Sequence, residues 1–333
     1  MNPIRELMKR ARPLVRARRR AFGPLRPSWS EEFETIATVL RLSATLSTRL
    51  PLSVQRRAVD APRPDTAVVK QTRITEVSAG GVRGAWFERP ESRRDRAVVY
   101  LHGGGYSVGG LRSHRDLIAR LCSEVGARVL GLEYRLAPEH PFPAQLEDSL
   151  AALDWLAEQG LPASRVALAG ESAGGGLTLS TLVELRDRGR ELPASAALLS
   201  PWVDLEGGRA SYRENRRWDF VTPRAIEAYT RRFVPRDRRR HPLAAPLHAE
   251  LGGLPPILVQ VGEVESLRDE GVELAARLEA AGCDATLEIW PDMIHAFQVF
   301  APMLDEGRRA LARAGAHLRR GLDDRERRAE SLG

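Results

Sequence analysis

The sequence predicts an α/β fold: a mostly parallel central sheet flanked by helices, with a helical cap. Three observations carry that prediction. Short apolar runs alternate with segments of helical spacing from residue 97 to residue 200, the alternation breaks between about 205 and 248, and it resumes at Ile257. Alternation of this kind implies parallel strands covered by helices, because a parallel crossover needs a connection of helix length.

The elements follow in order. After a basic start, Trp29, Phe33, Ile36 and Leu40 recur at helical spacing, which predicts an amphipathic helix with Ser28 or Ser30 as N-cap. From Thr72 to Glu88 two β-rich runs flank Gly80-Gly81, the pattern of a hairpin at a sheet edge. Then come a strand over 97–101, a helix over 113–124, a strand over 128–133, a helix over 143–158, a strand over 165–169, a helix over 173–187 and a strand over 196–200. The interruption holds Trp218, Phe220, Tyr229 and Phe233 among many arginines, and no run in it reads as a buried strand. After it stand a strand at 257–261, a helix at 269–281, a strand at 285–290 and a helix from about 299 to 320. The expected organisation is a basic tail and cap helix over 1–55, a first part of the core over 56–204, a cap insertion over 205–248 and a second part of the core over 249–333.

With 333 residues, 43% of them hydrophobic, the chain can bury a sizeable core. No apolar stretch reaches membrane-span length, and the basic start lacks the apolar segment of a secretory signal, so a cytoplasmic protein is expected. Cys122 and Cys283 sit in apolar-patterned segments and read as reduced core residues; no Cys/His cluster has metal-ligand spacing. The net charge of +7 suggests a nucleic-acid partner until it is located. Residues 1–27 hold nine Lys/Arg and one acid, which leaves 42 basic and 43 acidic residues elsewhere. The expected reading of that start is a solvated or frayed terminus, in preference to membrane or nucleic-acid contact.

Chemistry concentrates at three places. Gly170-Glu171-Ser172-Ala173-Gly174 follows the apolar run 166–169, and a Gly-x-Ser-x-Gly between strand and helix forces a tight turn that projects the serine hydroxyl. Upstream, the strand 97–101 runs into His102-Gly103-Gly104-Gly105. Glycines without side chains let backbone N–H groups approach the negative oxygen of a tetrahedral intermediate, so the oxyanion hole is assigned to the amides of Gly103, Gly104 and Ala173. One such donor is worth about 3 kcal/mol in the transition state.

A serine hydroxyl needs a base, and the base needs an acid to hold its tautomer. His295 follows the last strand in Pro291-Asp292-Met293-Ile294-His295, where a loop at the strand's C-terminal end would face the elbow. His114 and His317 are expected on helix surfaces, and His241 and His248 in loop packing. The acid belongs after Val261, where position alone does not separate Glu263, Glu265 and Asp269. Phe220, Tyr229, Trp218 and Phe233 are the candidate lining of an acyl pocket, with plain packing of the cap as the alternative.

Over nearly all of residues 60–320 the chain resembles the hormone-sensitive-lipase-like carboxylesterases of the α/β-hydrolase fold. Besides the two glycine motifs, the likeness rests on Tyr134-Arg-Leu-Ala-Pro-Glu-His-Pro-Phe-Pro-Ala144 and on Ser200-Pro-Trp-Val-Asp204. In that family the acid heads an Asp-x-Leu-x-Asp pattern, and the slot here is Glu265-Ser266-Leu267-Arg268-Asp269, so the resemblance points to Glu265. Glu171 likewise stands where the family often has Asp. The resemblance implies a carboxylic-ester hydrolase with Ser172, Glu265 and His295 as its triad, short to medium acyl chains, a small-molecule ester as substrate and no cofactor. The alternatives are an amide or lactone hydrolase, or a non-catalytic ligand-binding protein on the same fold. Oligomeric state is not readable from the sequence.

Overall fold

The computed structural model describes residues 3–47, 50–62 and 64–331. Four helices come first: α1 (Pro3–Phe22), α2 (Glu31–Ser47), α3 (Leu52–Val59) and α4 (Ala67–Lys70). The hairpin β1 (Arg73–Ala79) and β2 (Val82–Glu88) turns on Gly80-Gly81, both at positive φ as that tight turn demands. The core continues through β3 (Arg93–Leu101), α5 (Leu111–Val125), β4 (Ala127–Leu132), α6 (Ala144–Glu158), β5 (Val166–Glu171), α7 (Ala173–Asp187) and β6 (Ala196–Leu199). The interruption contributes α8 (Ala210–Glu214) and α9 (Pro223–Phe233), and the chain closes with β7 (Ile257–Gly262), α10 (Arg268–Ala280), β8 (Ala285–Trp290) and α11 (Asp305–Glu330).

The strands form one eight-stranded sheet in the order β1-β2-β4-β3-β5-β6-β7-β8, parallel from β4 to β8, with β1 and β2 antiparallel at one edge. Period-two alternation splits each central strand between two cores. Val99 and Leu101 of β3 point to the side that α6, α7 and α10 cover, whereas Val98 and Tyr100 point to the side that α5 and α11 cover. Both faces are therefore dry, which is why β3, β5, β6 and β7 read as continuous apolar runs. Cys122 and Cys283 are buried and unbridged, as core residues. Ser30 is the N-cap of α2: its hydroxyl accepts the N–H of Phe33 at 3.1 Å.

The basic start is a helix rather than a frayed terminus; it keeps Arg10, Arg12, Arg16 and Arg20 exposed, and four of its arginines pair within the chain. Arg12 and Arg16 clasp Glu31, and Arg18 and Arg19 reach Glu34 at 2.7 and 2.6 Å. Glu34 is fully buried, so its carboxylate needs both guanidinium groups, and that need orders the segment. A smaller apolar cluster joins Trp29, Phe33 and Ala37 to Met293, Ile294 and Phe297, bringing the N-terminal helices onto the loop after β8. Among the described residues no helix is long and apolar enough to cross a membrane.

Candidate active site

The C-terminal ends of β3, β5, β6, β7 and β8 all open toward one cavity of about 490 Å³, whose other walls are the N-terminal helices and the 220–229 segment. Parallel sheets place sites at this end because the loops leaving successive strands converge there.

Ser172 is the N-cap of α7 and sits at φ 54°, ψ −121°, a conformation that costs a non-glycine residue about 1–3 kcal/mol. Its N–H donates to Leu199 O at 2.9 Å, and its carbonyl accepts the N–H of Trp202 at 2.9 Å, so neighbouring backbone holds the strained turn. The flanking glycines are obligatory: a Cβ on Gly174 would lie 1.9 Å from Leu101 O, and one on Gly170 would lie 2.2 Å from Gly174 O.

Beside it runs the loop His102–Gly105. A Cβ on Gly103 would lie 2.0 Å from the Glu171 carboxylate, and Gly104 has φ +114°. The His102 ring stacks on Tyr134 with centroids 4.2 Å apart, and the Tyr134 hydroxyl donates to His102 O at 2.5 Å. Burial, with His114 nearby, pushes His102 down to about 3, so it is a neutral packing ring that shapes the glycine loop. Glu171 is buried as well. Burial opposes its charge, but His114, 3.4 Å away, together with His295, outweighs that and holds the carboxyl below its usual range.

His295 Nε2 lies 2.9 Å from Ser172 Oγ. On the ring's other side Nδ1 faces Glu265 Oε1 across 3.9 Å, longer than a hydrogen bond, and neither atom has a hydrogen-bond partner among the described residues. Burial alone would push the imidazole down; Glu265 outweighs it, with Asp219 and Glu171 adding to the effect, and the ring is raised from its ordinary value. Glu265 itself is anchored through Oε2, which accepts the Ser200 hydroxyl at 2.6 Å and the Gly262 N–H at 3.0 Å.

The other two carboxylates are engaged elsewhere. Glu263 accepts from Arg26 and from the N–H of Asp292 at 2.8 Å, while Asp269 accepts the N–H of Ser211 at 2.8 Å and pairs with Arg268. Of the four aromatics, Phe220 and Tyr229 line the cavity. Trp218 and Phe233 do not. Trp218 packs edge-on to Trp29 under the guanidinium groups of Arg26 and Arg217, and Phe233 is buried in a stack on Tyr106 at 3.8 Å. His114 and His317 are buried rather than on the surface. His114 lines the cavity against Glu171, and His317 Nε2 meets Pro256 O at 3.3 Å.

Two residues that hold this arrangement were not singled out from the sequence: Ser200, present only within a longer family-like run, and Asp219, an isolated acid in the arginine-rich insertion. Asp204, Glu206 and His248 bring ligand atoms within 4.8 Å of one another, but Arg209 and Arg240 already pair with the two acids and none of the three lines the cavity.

Comparison with known proteins gives this geometry its family. A family model described as alpha/beta hydrolase fold matches residues 98–299. The chain belongs to that family. An acetyl-hydrolase of Streptomyces hygroscopicus is 44% identical over 244 residues, 73% of this chain and 81% of that protein. Carboxylesterase NlhH of Mycobacterium tuberculosis is 39% identical over 236 residues, 68% of this chain and 73% of that one. Among solved structures, an esterase from the bacterial hormone-sensitive lipase family is 39% identical with a TM-score of 0.75, covering 95% of this chain and 98% of its own. A hormone-sensitive lipase from a metagenome library is 32% identical with a TM-score of 0.81, covering 86% and 97%. The chain is thus an α/β-hydrolase of the hormone-sensitive-lipase-like, carboxylesterase type, and the likeness read from its glycine motifs holds.

Proposed function

We propose that this α/β-hydrolase cleaves carboxylic esters of short to medium acyl chain through a covalent acyl-enzyme on Ser172. The observation that carries the reading is the 2.9 Å approach of His295 Nε2 to Ser172 Oγ, the distance at which an imidazole takes a hydroxyl proton. Ser172 Oγ attacks the ester carbonyl carbon as His295 accepts its proton. The carbonyl oxygen becomes an oxyanion held by the N–H groups of Gly103, Gly104 and Ala173. Collapse expels the alcohol, which leaves with the proton from His295, and water, activated by the same ring, releases the acid and restores Ser172. Glu265 faces the positive charge that the ring acquires. Every proton and electron pair is accounted for without a cofactor.

The apolar residues Leu40, Val108, Phe220, Val221 and Ile226 beside Ser172 suit an acyl chain, and the presence of Phe220 and Tyr229 in the cavity wall supports that reading. A relative carrying the name carboxylesterase favours esters over amides or lactones. A non-catalytic binder on this fold would have no use for a strained serine held against a histidine.

The test is hydrolysis of 4-nitrophenyl esters of increasing chain length by the full chain and by Ser172→Ala. Removing a nucleophile of this kind lowers kcat by about 10⁴–10⁶. Undiminished turnover by Ser172→Ala would overturn the assignment, and an activity optimum beyond about twelve acyl carbons would overturn the chain-length reading.

A further inference from the structure

We propose that Asp219, carried by the cap insertion, is a positioning residue for this reaction: its carboxylate ties the Glu265 loop to the His295 loop and presents a second negative charge to the imidazole. The inference rests on Ser172 and His295 being nucleophile and base.

Asp219 is fully buried. Its Oδ1 accepts the backbone N–H of His295 at 3.2 Å and that of Phe220 at 2.8 Å, and its Oδ2 accepts the N–H of Ser266, the residue after Glu265, at 2.7 Å. One carboxylate thus holds the loop leaving β7, the loop leaving β8 and the cap. Glu265 and His295 stand 3.9 Å apart, so their relative placement is set by the backbone on either side more than by a bond between them.

The same insertion adds neutral ties to the acid's loop. Asn215 Nδ2 donates to Glu265 O at 2.8 Å, Ser266 Oγ donates to Val221 O at 2.7 Å, and Ser211 Oγ donates to Ser266 O at 2.7 Å.

Both carboxylate oxygens accept N–H groups, which an amide with one acceptor oxygen would not do, and a charge here also faces the imidazole. Three carboxylates act on it from three directions: Glu265 from the loop after β7, Asp219 from the cap and Glu171 from the elbow. Burial pushes the Asp219 carboxyl up to about 6 while His295 draws it down, so at neutral pH it is mostly ionised.

Phe220, next in sequence, lines the cavity and stands edge-on to the His295 ring with centroids 5.8 Å apart. An acyl chain seated against Phe220 therefore presses on the segment that holds the base, and the cap becomes part of the catalytic geometry rather than a roof over it.

The experiment compares full-length wild type, Asp219→Asn and Asn215→Ala on 4-nitrophenyl butyrate, measuring kcat, KM and the acid limb of kcat/KM. Asp219→Asn is expected to lower kcat about 10–100-fold with KM within threefold, and to move the acid limb to lower pH, because a base that loses a facing anion gives up its proton more readily. Asn215→Ala loosens the same loop without removing a charge and is expected to leave the limb in place. Asp219→Ser, which keeps a small acceptor, replaces Asp219→Asn if the amide prevents folding, and Asp219→Glu is expected to restore the limb. An unchanged kcat in Asp219→Asn, an unmoved limb, or an equal movement in Asn215→Ala would each overturn the proposal. If Ser172→Ala stays active, the reading beneath it has failed instead.

Discussion

Ser200 donates its hydroxyl proton to Glu265 Oε2 across 2.6 Å, and Ser200 Oγ in turn accepts the N–H of Ala296 at 3.0 Å. A single buried hydroxyl at the end of β6 therefore joins the loop after β7 to the residue following His295. Ser200 adopts φ 46°, so the backbone accepts strain to aim it. Ser200→Ala leaves a buried carboxylate oxygen and a backbone N–H each short of a partner, a loss of about 1–3 kcal/mol. Denaturant unfolding is expected to report that loss, and kcat is expected to fall about tenfold with KM little changed. A variant as active and as stable as wild type would mean that the bridge has no part in either.

Glu265 alone of the three candidate acids faces the imidazole, and the other two hold cap and N-terminal segments. Glu265→Gln is accordingly expected to lower kcat by about 10³–10⁴, the range seen when the acid of such a triad becomes an amide. Glu263→Gln and Asp269→Asn are expected to stay within about fivefold. Steady-state kinetics on one ester decide this, and a larger defect in Asp269→Asn would move the role to that residue.

The sheet was legible because both faces of its central strands are buried, which writes them as apolar runs, and because the elbow and the glycine loop tolerate no side chains. His295 was legible by its place after the last strand. Glu265 was not readable by position, since Glu263, Glu265 and Asp269 all follow β7 closely; the family-like slot pointed to it, and in the structure it alone of the three faces the imidazole. Asp219 was invisible: the partners that tie it to the site are the backbone N–H groups of Ser266 and His295, far away in sequence, and such groups leave no mark on residue identity. The basic start misled for a related reason. Four of its arginines pair with Glu31 and Glu34 across a turn, and a linear count of arginines does not register that pairing.

Arg18 and Arg19 provide the counter-charge of buried Glu34, whose carboxylate also accepts the N–H of Leu25. Removing both guanidinium groups leaves an uncompensated buried charge, at a cost of about 3–5 kcal/mol. The double variant Arg18→Ala, Arg19→Ala is expected to unfold at lower denaturant and, because Leu7 of α1 and Leu40 of α2 line the cavity, to raise KM more than it lowers kcat. Unchanged KM in a folded double variant would show that α1 does not shape the substrate's berth.

The last prediction concerns pH and Glu270. This carboxyl is fully buried under the segment after β6, where it accepts the Tyr212 hydroxyl at 2.6 Å and the N–H groups of Val203 and Asp204 at 3.2 and 3.1 Å. Burial pushes it up to about 8; Tyr212 works in the other direction and Asp204 in the same one. A carboxyl raised on folding holds its proton in the native state at pH values where the unfolded chain has lost it. Its contribution is complete below the unfolded value of about 4.3 and is lost as pH rises through about 8. The wild type is therefore expected to lose stability across that window at a rate that Glu270→Gln, which cannot titrate, does not share. Thermal unfolding of both proteins from pH 5 to pH 9 measures it: the wild type's advantage over Glu270→Gln should narrow toward pH 8 and then level off. A constant difference across the range would mean that Glu270 is already ionised in the folded protein, its charge carried by Tyr212 and the two backbone donors.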